Sequence, residues 1–349
     1  MVYRKFKHII KNYLIGWLIA GIVFEFLRKT DLKSNETQLS VQFIFFLFSW
    51  LLEGVLFGTL HFIVVQFFRK KIAYGKLLVL TLFLQTLVGF FVVILMFPLI
   101  KVMGFQNSLI DVLLLTSIHI SLVYAFFVNF IISIMLEVNL ILGKGILKSI
   151  IRGKFYKPYQ DSRVFMFLDL KSSTTHAEKL GHIKYSRLIQ DCFYDLAVVD
   201  NYKAEVYKYV GDEVILVWNV EDGLQNLNCI KAFFSFDDEL KRRKDYYSKE
   251  YGIVPEFKAG LYKGEVTIAE VGELKREIAY LGDTVNTTAR IEGECNRFNA
   301  KLLLSECLLK ELSLENAYKT EFKGNIILRG KEDGINLFSV KKVLTEEES

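Results

Sequence analysis

The sequence predicts two domains in different solvents: a bundle of four membrane-spanning α-helices, then an α+β domain of ferredoxin-like type. Three observations point there. Up to about Leu142 the chain is dominated by long runs of Leu, Ile, Val and Phe, whereas after Arg163 charges are spread throughout. The apolar part divides into four stretches, each long enough to cross a bilayer. The polar part alternates short apolar runs, tight-turn residues and amphipathic segments, the pattern of paired strands with helices between them. At 349 residues there is room for a core in each half.

A span needs about 20 mostly apolar residues, and residues 9–27, 40–68, 77–100 and 109–142 meet that requirement. The first follows a basic start, Arg4, Lys5 and Lys7, as a signal peptide would. With no small-residue cleavage site and three more spans behind it, it reads as a retained anchor. The second and fourth exceed what the bilayer requires and must tilt or protrude. Positive charge decides the orientation. Arg4, Lys5, Lys7 and Lys11 precede the first span; Arg69, Lys70, Lys71 and Lys76 separate the second from the third; Lys144, Lys148, Arg152, Lys154 and Lys157 follow the fourth. The other two connections are weaker: Arg28, Lys29 and Lys33 are mixed with Asp31 and Glu36, and the last has only Lys101. This bias predicts a multi-pass protein of the cell membrane, in contact with lipid, with both termini and the soluble half in the cytosol.

The fourth span continues through Glu137 to Gly143 and Gly145, and a short amphipathic piece, residues 146–151, leads to the helix-breaking Pro158. Residues 1–142 are thus the membrane domain, 143–162 a connector that transmits movement, and 163–349 the soluble domain. In the last, residues 164–170 read as a buried strand, 174–180 as a helix start and 185–200 as an amphipathic helix. Residues 205–209 and 214–218 are strands joined at Gly211-Asp212. Residues 223–248 form one long helix, 257–262 and 265–271 a hairpin bent at Gly264, and 283–298 a helix. Residues 301–304 are a strand, and two more near 317–340 close a sheet with its helices on one face.

Net charge is +5, but in the apolar half the basic residues gather at span ends, as charges that stop at a membrane surface do. No basic face interleaved with aromatics occurs in the soluble half, which argues against nucleic acid as a partner. Cys192, Cys229, Cys295 and Cys307 form no CxxC pair and no zinc spacing; they read as free thiols in a reducing compartment.

Asp169 ends a strand that is otherwise wholly apolar, Phe165-Met166-Phe167-Leu168, and a charge there is costly unless something binds it. Asp212 follows Gly211 on a hairpin turn, in Lys208-Tyr209-Val210-Gly211-Asp212-Glu213. If the two strands are neighbours, both carboxylates meet at one sheet edge. Such a pair suits Mg²⁺, which takes hard oxygen ligands and shares them with phosphates. A third element, Gly282-Asp283-Thr284-Val285-Asn286-Thr287-Thr288-Ala289-Arg290, opens a helix with Asn286 and Arg290 one turn apart on one face. An amide and a guanidinium so placed can hold a ribose and an adjacent phosphate together.

Together, Phe-Leu-Asp169, Lys208-x-x-Gly-Asp212 and Gly-Asp-x-Val-Asn286-x-x-Ala-Arg290 make the region 164–340 resemble the class III adenylate/guanylate cyclases. The resemblance implies that Asp169 and Asp212, with the Leu170 carbonyl, hold two Mg²⁺ or Mn²⁺ ions per site. It implies that Lys208 reads the purine, Asn286 orients the ribose and Arg290 stabilises the transition state. Arg329, in Leu-Arg-Gly-Lys, stands where the family commonly has a phosphate-binding lysine. Ser172 and Ser173 replace a frequent Gly-Phe, and the amides of Ser173 and Thr174 are expected to face the phosphates. The metal aspartates of one subunit would work with the Lys, Asn and Arg of another, so a chain carrying both sets implies a homodimer.

The second purine-reading position, seven residues before Asn286, is Ala279 here, where adenylate cyclases have Asp or Thr and guanylate cyclases Cys. Lys208 can donate to adenine N1 but meets a hydrogen on guanine N1, which favours ATP, with backbone groups near Ala279 reading the amino group. The expected activity is a membrane-bound adenylate cyclase. The alternatives are a guanylate cyclase, or a membrane receptor or scaffold with a nucleotide-binding but inactive domain; no GG[DE]EF-like loop marks a diguanylate cyclase. In the membrane half, His61 and His119 are candidates for a haem or a small-molecule pocket, against the simpler role of hydrogen bonding between helices.

Overall fold

The computed structural model describes residues 2–29, 36–69, 71–102, 116–143, 145–314, 317–327 and 334–343. Lys33, Lys70, Lys144, Arg329 and residues 109–115 of the predicted fourth span lie outside these residues. The chain divides into two compact units, Val2–Leu142 and Gly143–Ser349.

The first unit contains helices α1 (Val2–Lys29), α2 (Glu36–Phe68), α3 (Tyr74–Val102) and α4 (Thr116–Leu142). Each of the four is long and apolar enough to cross a membrane. α1 packs on α2, α2 on α3, α3 on α4, and α4 returns to α1. Gly54 and Gly58 let α2 approach α1 closely: a Cβ on Gly58 would stand 3.1 Å from the Tyr13 Cβ. Tyr13, Trp17, Trp50 and Phe57 fill the interior, whereas Ile19, Phe26, Val79, Phe83 and Ile131 face outward.

Several buried polar side chains of this unit bond to one another. The Tyr13 hydroxyl lies 3.1 Å from both His61 Nδ1 and Ser133 Oγ, and Gln85 donates to it at 2.9 Å. Trp17 Nε1 donates to Asn129 Oδ1 at 3.1 Å. The alternative that His61 and His119 ligate one haem fails on geometry. Ser133, 3.5 Å from His61, is fourteen residues beyond His119 on α4, about 21 Å along the axis at 1.5 Å per residue. The two histidines cannot grip one haem, and His61 serves as an interhelical hydrogen-bonding group.

The second unit begins with α5 (Ile146–Ile151) and β1 (Tyr159–Leu170), which starts just after Pro158. Then come α6 (Ser173–Asp195), β2 (Glu205–Val210), β3 (Glu213–Asn219), α7 (Val220–Leu224), α8 (Asn228–Arg242) and α9 (Lys244–Tyr251). β4 (Phe257–Val271), β5 (Glu277–Leu281), α10 (Asp283–Gly293), β6 (Leu302–Ser305), α11 (Glu306–Glu311), β7 (Tyr318–Ile327) and β8 (Gly334–Lys342) complete it. The sheet runs β2-β3-β1-β4-β6-β8-β7, with β5 also on β4.

Strand alternation sorts the core into two faces. Val164, Met166, Leu168, Leu216 and Trp218 pack with Leu188, Phe233 and Phe236 of α6 and α8. Phe165, Phe167, Ile215 and Val217 pack on the opposite face with Val285 and Ala289 of α10. The helices are therefore not confined to one face: α10, with Ile146 of α5, covers the face opposite α6, α8 and α9, because both faces of β1 and β3 are apolar and each needs a cover.

Two other expectations change. The hairpin bent at Gly264 is one continuous 15-residue strand, β4, and the turn lies at 272–276, where Gly272 has φ +90°. Gly264 serves close approach instead, since a Cβ there would stand 2.5 Å from Thr284 Oγ1. The long helix over 223–248 is broken by left-handed Asn226 and Leu227, and again where α8 gives way to α9 at Arg243.

Candidate active site

Two of the three motifs, those of Asp169 and Asp212, meet where β1 ends. β3 runs antiparallel to β1 with Leu168 opposite Val214, and β2 joins β3 by a two-residue turn, Val210 facing Glu213. Gly211 takes φ +63° at the first turn position, the residue such a hairpin demands. This register sets Asp212 beside Asp169, close enough for its charge to raise the Asp169 carboxyl. On the other side of β1, Lys258 of β4 is the register partner of Asp169. Lys258 Nζ lies 3.1 Å from Asp169 Oδ2 and 2.8 Å from Glu292 Oε1 of α10.

Burial raises the Asp169 carboxyl above its usual range; Lys258 draws it back, and Asp212 pushes it up again. Glu213 is pushed up to about 7 by burial first, then by the charges of Glu292, Asp169 and Asp212. Burial works against the Lys258 ammonium, but Glu292 and Asp169 outweigh it and keep it charged. Excess negative charge with one internal cation is a donor set for hard cations. Among the described residues no group of three or more His, Cys, Asp or Glu converges on one metal position. The carboxylate pair Asp169 and Asp212 is the hard-oxygen set at this edge, of the kind Mg²⁺ or Mn²⁺ accepts when carbonyl, water and phosphate oxygens complete the shell.

α6 starts at this edge. Ser172 takes the left-handed conformation, φ 59°, that lets the chain turn from β1 into the helix, and Ser173 and Thr174 form the first turn. Their amides are among the unpaired donors of a helix start, where negative charge is favoured. Tyr185, farther along α6, is pushed up to about 12 by burial and the Asp212 charge. Leu170 has its side chain buried in the core, so only its backbone is available to a ligand.

α10 is held against the sheet by Thr284, Thr287, Thr288, Ile291 and Glu292, all buried. A Cβ on Gly260 of β4 would stand 2.3 Å from the Glu292 backbone N, so glycine there permits this approach. Asn286 is exposed and Arg290 half-buried, off the packed face. Among the described residues neither has a hydrogen-bond or ion-pair partner, so neither is bonded to Asp169 or Asp212 of its own chain. Lys208 pairs with Glu277 at 3.2 Å, and Ala279 follows two residues later on β5. Arg329 is outside the described residues.

Lys258, Glu292, Glu213 and Tyr185 were missed from the sequence. The signal for Lys258 was present: Phe257-Lys258-Ala259-Gly260-Leu261 is an apolar strand broken by one charge, as β1 is at Asp169.

A family model described as adenylate and guanylate cyclase catalytic domain matches residues 155–342. Adenylate cyclase 2 of Rhizobium meliloti (strain 1021) is 33% identical over 220 residues, 63% of this chain and 61% of that protein. An adenylate cyclase of Anabaena cylindrica is 24% identical over 184 residues, 50% of this chain and 36% of that one. The chain thus spans less than two thirds of these relatives. In fold, a bacterial light-regulated adenylyl cyclase is similar at TM-score 0.50 and 21% identity, covering 60% of this chain and 64% of the other.

Proposed function

Because the chain belongs to the adenylate and guanylate cyclase catalytic-domain family, we propose that it is a membrane-anchored adenylate cyclase making 3′,5′-cyclic AMP and pyrophosphate from ATP. The reading is carried by the meeting of Asp169 and Asp212 beside Lys258 and the start of α6. The ribose 3′-oxygen bonds to the α-phosphorus, the bond to the bridging oxygen breaks, pyrophosphate leaves, and the hydroxyl proton passes to water.

Asp169, Asp212 and the Leu170 carbonyl would hold two Mg²⁺ or Mn²⁺ ions, which when bound lower the hydroxyl pKa and neutralise the triphosphate. The Ser173 and Thr174 amides and Lys258 orient the phosphates, a task that Arg329 shares. Asn286 fixes the ribose so that its 3′-oxygen lies in line with the leaving group. Arg290 meets the charge that grows on the α-phosphate, a contribution typically worth about 10²–10³ in rate. Lys208 donates to adenine N1.

Asn286 and Arg290 stand apart from the acid pair within one chain, and each chain has both sets. Two chains therefore complete each other, giving a homodimer with two composite sites. The four apolar helices seat the protein in the cell membrane, and the positive flanks set its termini and catalytic domain in the cytosol. The test is to supply the full chain in membranes with Mg²⁺ or Mn²⁺ and either ATP or GTP, and to measure each cyclic product. ATP should give cyclic AMP, and Asp212→Ala should abolish it. Nucleotide binding without any turnover would overturn the reading, and cyclic GMP as the main product would reassign the substrate.

A further inference from the structure

The Lys208 ammonium is not alone at the proposed base site. Its Nζ lies 3.2 Å from Oε1 of Glu277, with 45% and 40% of the two side chains exposed, so the pair is open to a ligand. Glu277 and Ala279 are two residues apart on β5 and project from the same face. Ala279 presents only a methyl group. Its backbone is committed as well: the Tyr280 N–H donates to the Tyr207 hydroxyl at 3.4 Å and so points away from β4. By the alternation of an antiparallel ladder, Ala279 then turns its own N–H and C=O toward Ala269. The acceptor that stands beside Lys208 is the Glu277 carboxylate.

We propose that Glu277 is the second base-reading residue of the site, accepting a hydrogen bond from the 6-amino group of adenine while Lys208 donates to N1. The inference rests on the adenylate cyclase reading above and names the residue that makes it selective. On adenine, an acceptor (N1) and a donor (the amino group) are adjacent, and an ammonium beside a carboxylate complements them. Guanine reverses both positions, so in the same pose N1–H faces Lys208 and O6 faces Glu277, and both contacts become repulsive. The Lys208–Glu277 contact also orders both side chains before substrate arrives, which lowers the entropy lost on binding.

The experiment deletes the two partners separately and together. In the full chain in membranes, kcat/KM is measured for ATP, for purine riboside triphosphate (which lacks the 6-amino group) and for GTP, in wild type, Glu277→Ala and Glu277→Gln. Wild type should prefer ATP over the purine analogue by about ten- to hundredfold, as expected for one hydrogen bond to a charged group. Glu277→Ala should bring that preference to within about threefold of unity, and Glu277→Gln, whose amide oxygen still accepts, should keep part of it. Equal discrimination in wild type and Glu277→Ala overturns the proposal. A fall in the GTP rate alone in Glu277→Ala does the same. Competition of the two triphosphates for a bound fluorescent nucleotide gives the same comparison without turnover, so an inactive chain would refute the catalytic reading while still deciding the role of Glu277.

Discussion

The Lys258 ammonium stands 3.1 Å from the Asp169 carboxylate, at the edge where Asp169 meets Asp212. An internal cation thus shares the acid pair proposed to hold metal. Replacing it with an uncharged side chain of similar length removes a competitor and a like charge. Lys258→Met should therefore bind Mn²⁺ without nucleotide about tenfold more tightly, on the order of 1.4 kcal/mol. Cyclic product should fall, because the phosphates lose a partner. Mn²⁺ titration followed by electron paramagnetic resonance checks the first effect; unchanged or weaker binding would count against the shared site.

Proton uptake by the same cluster gives a pH dependence. Glu213 is held up to about 7, chiefly by burial, so the folded protein keeps a proton there that an exposed glutamate has released. Below about 7 that proton neutralises one acid of the cluster; above it, the full negative charge is present for a cation. Mn²⁺ affinity should rise between pH 6 and 8, with proton release on binding. Glu213→Gln should flatten the rise. The same sign holds for folding: a raised carboxyl stabilises most below its unfolded value, and that contribution is lost as pH climbs through 7.

The carboxylate pair was legible for two different reasons. Asp169 puts a charge at the end of an apolar strand, and Asp212 follows a glycine at a turn whose length fixes its register. Lys258 likewise puts a charge in an apolar strand, β4, but a lysine in a strand gives no hint that its partner lies on a helix across the sheet. Gly264 misled because a glycine between two apolar runs signals a bend or a close approach equally well, and only the position of Thr284 separates them. The placement of α10 opposite α6 was hidden for a related reason. β1 and β3 are apolar on both faces, so alternation could not say which helices cover which side. The pairing of Lys208 with Glu277 depends on β5 reaching β2, which no periodicity encodes.

Close approach at Gly260 makes a structural prediction with a functional readout. A methyl group there would stand 2.3 Å from the Glu292 backbone N and 2.9 Å from the Thr288 carbonyl oxygen, both in α10. Backbone cannot rotate aside, so the helix must move. Gly260→Ala should destabilise the catalytic domain by about 1–3 kcal/mol and lower kcat more than it raises KM, since Asn286 and Arg290 ride on that helix. Thermal unfolding and steady-state kinetics measure the two effects. A variant with unchanged stability and kinetics would mean that α10 is not seated as described.

The separation of Asn286 and Arg290 from the acid pair within one chain leads to a mixing experiment. Asp212→Ala removes a metal ligand and Arg290→Ala the transition-state donor, so either variant alone should lose at least about a hundredfold in rate. If each site draws its acids from one subunit and its Arg290 from the other, a mixed dimer contains one site with both defects and one with neither. Random pairing of equal amounts makes half the dimers mixed, and half of their sites intact. Coexpression should then restore about a quarter of wild-type cyclic AMP production, far above either variant. Recovery no greater than the average of the two variants would show that each site is built within a single chain. The measurement is the rate per total protein in membranes with both variants present in equal amount, because an excess of either lowers the mixed fraction in a calculable way.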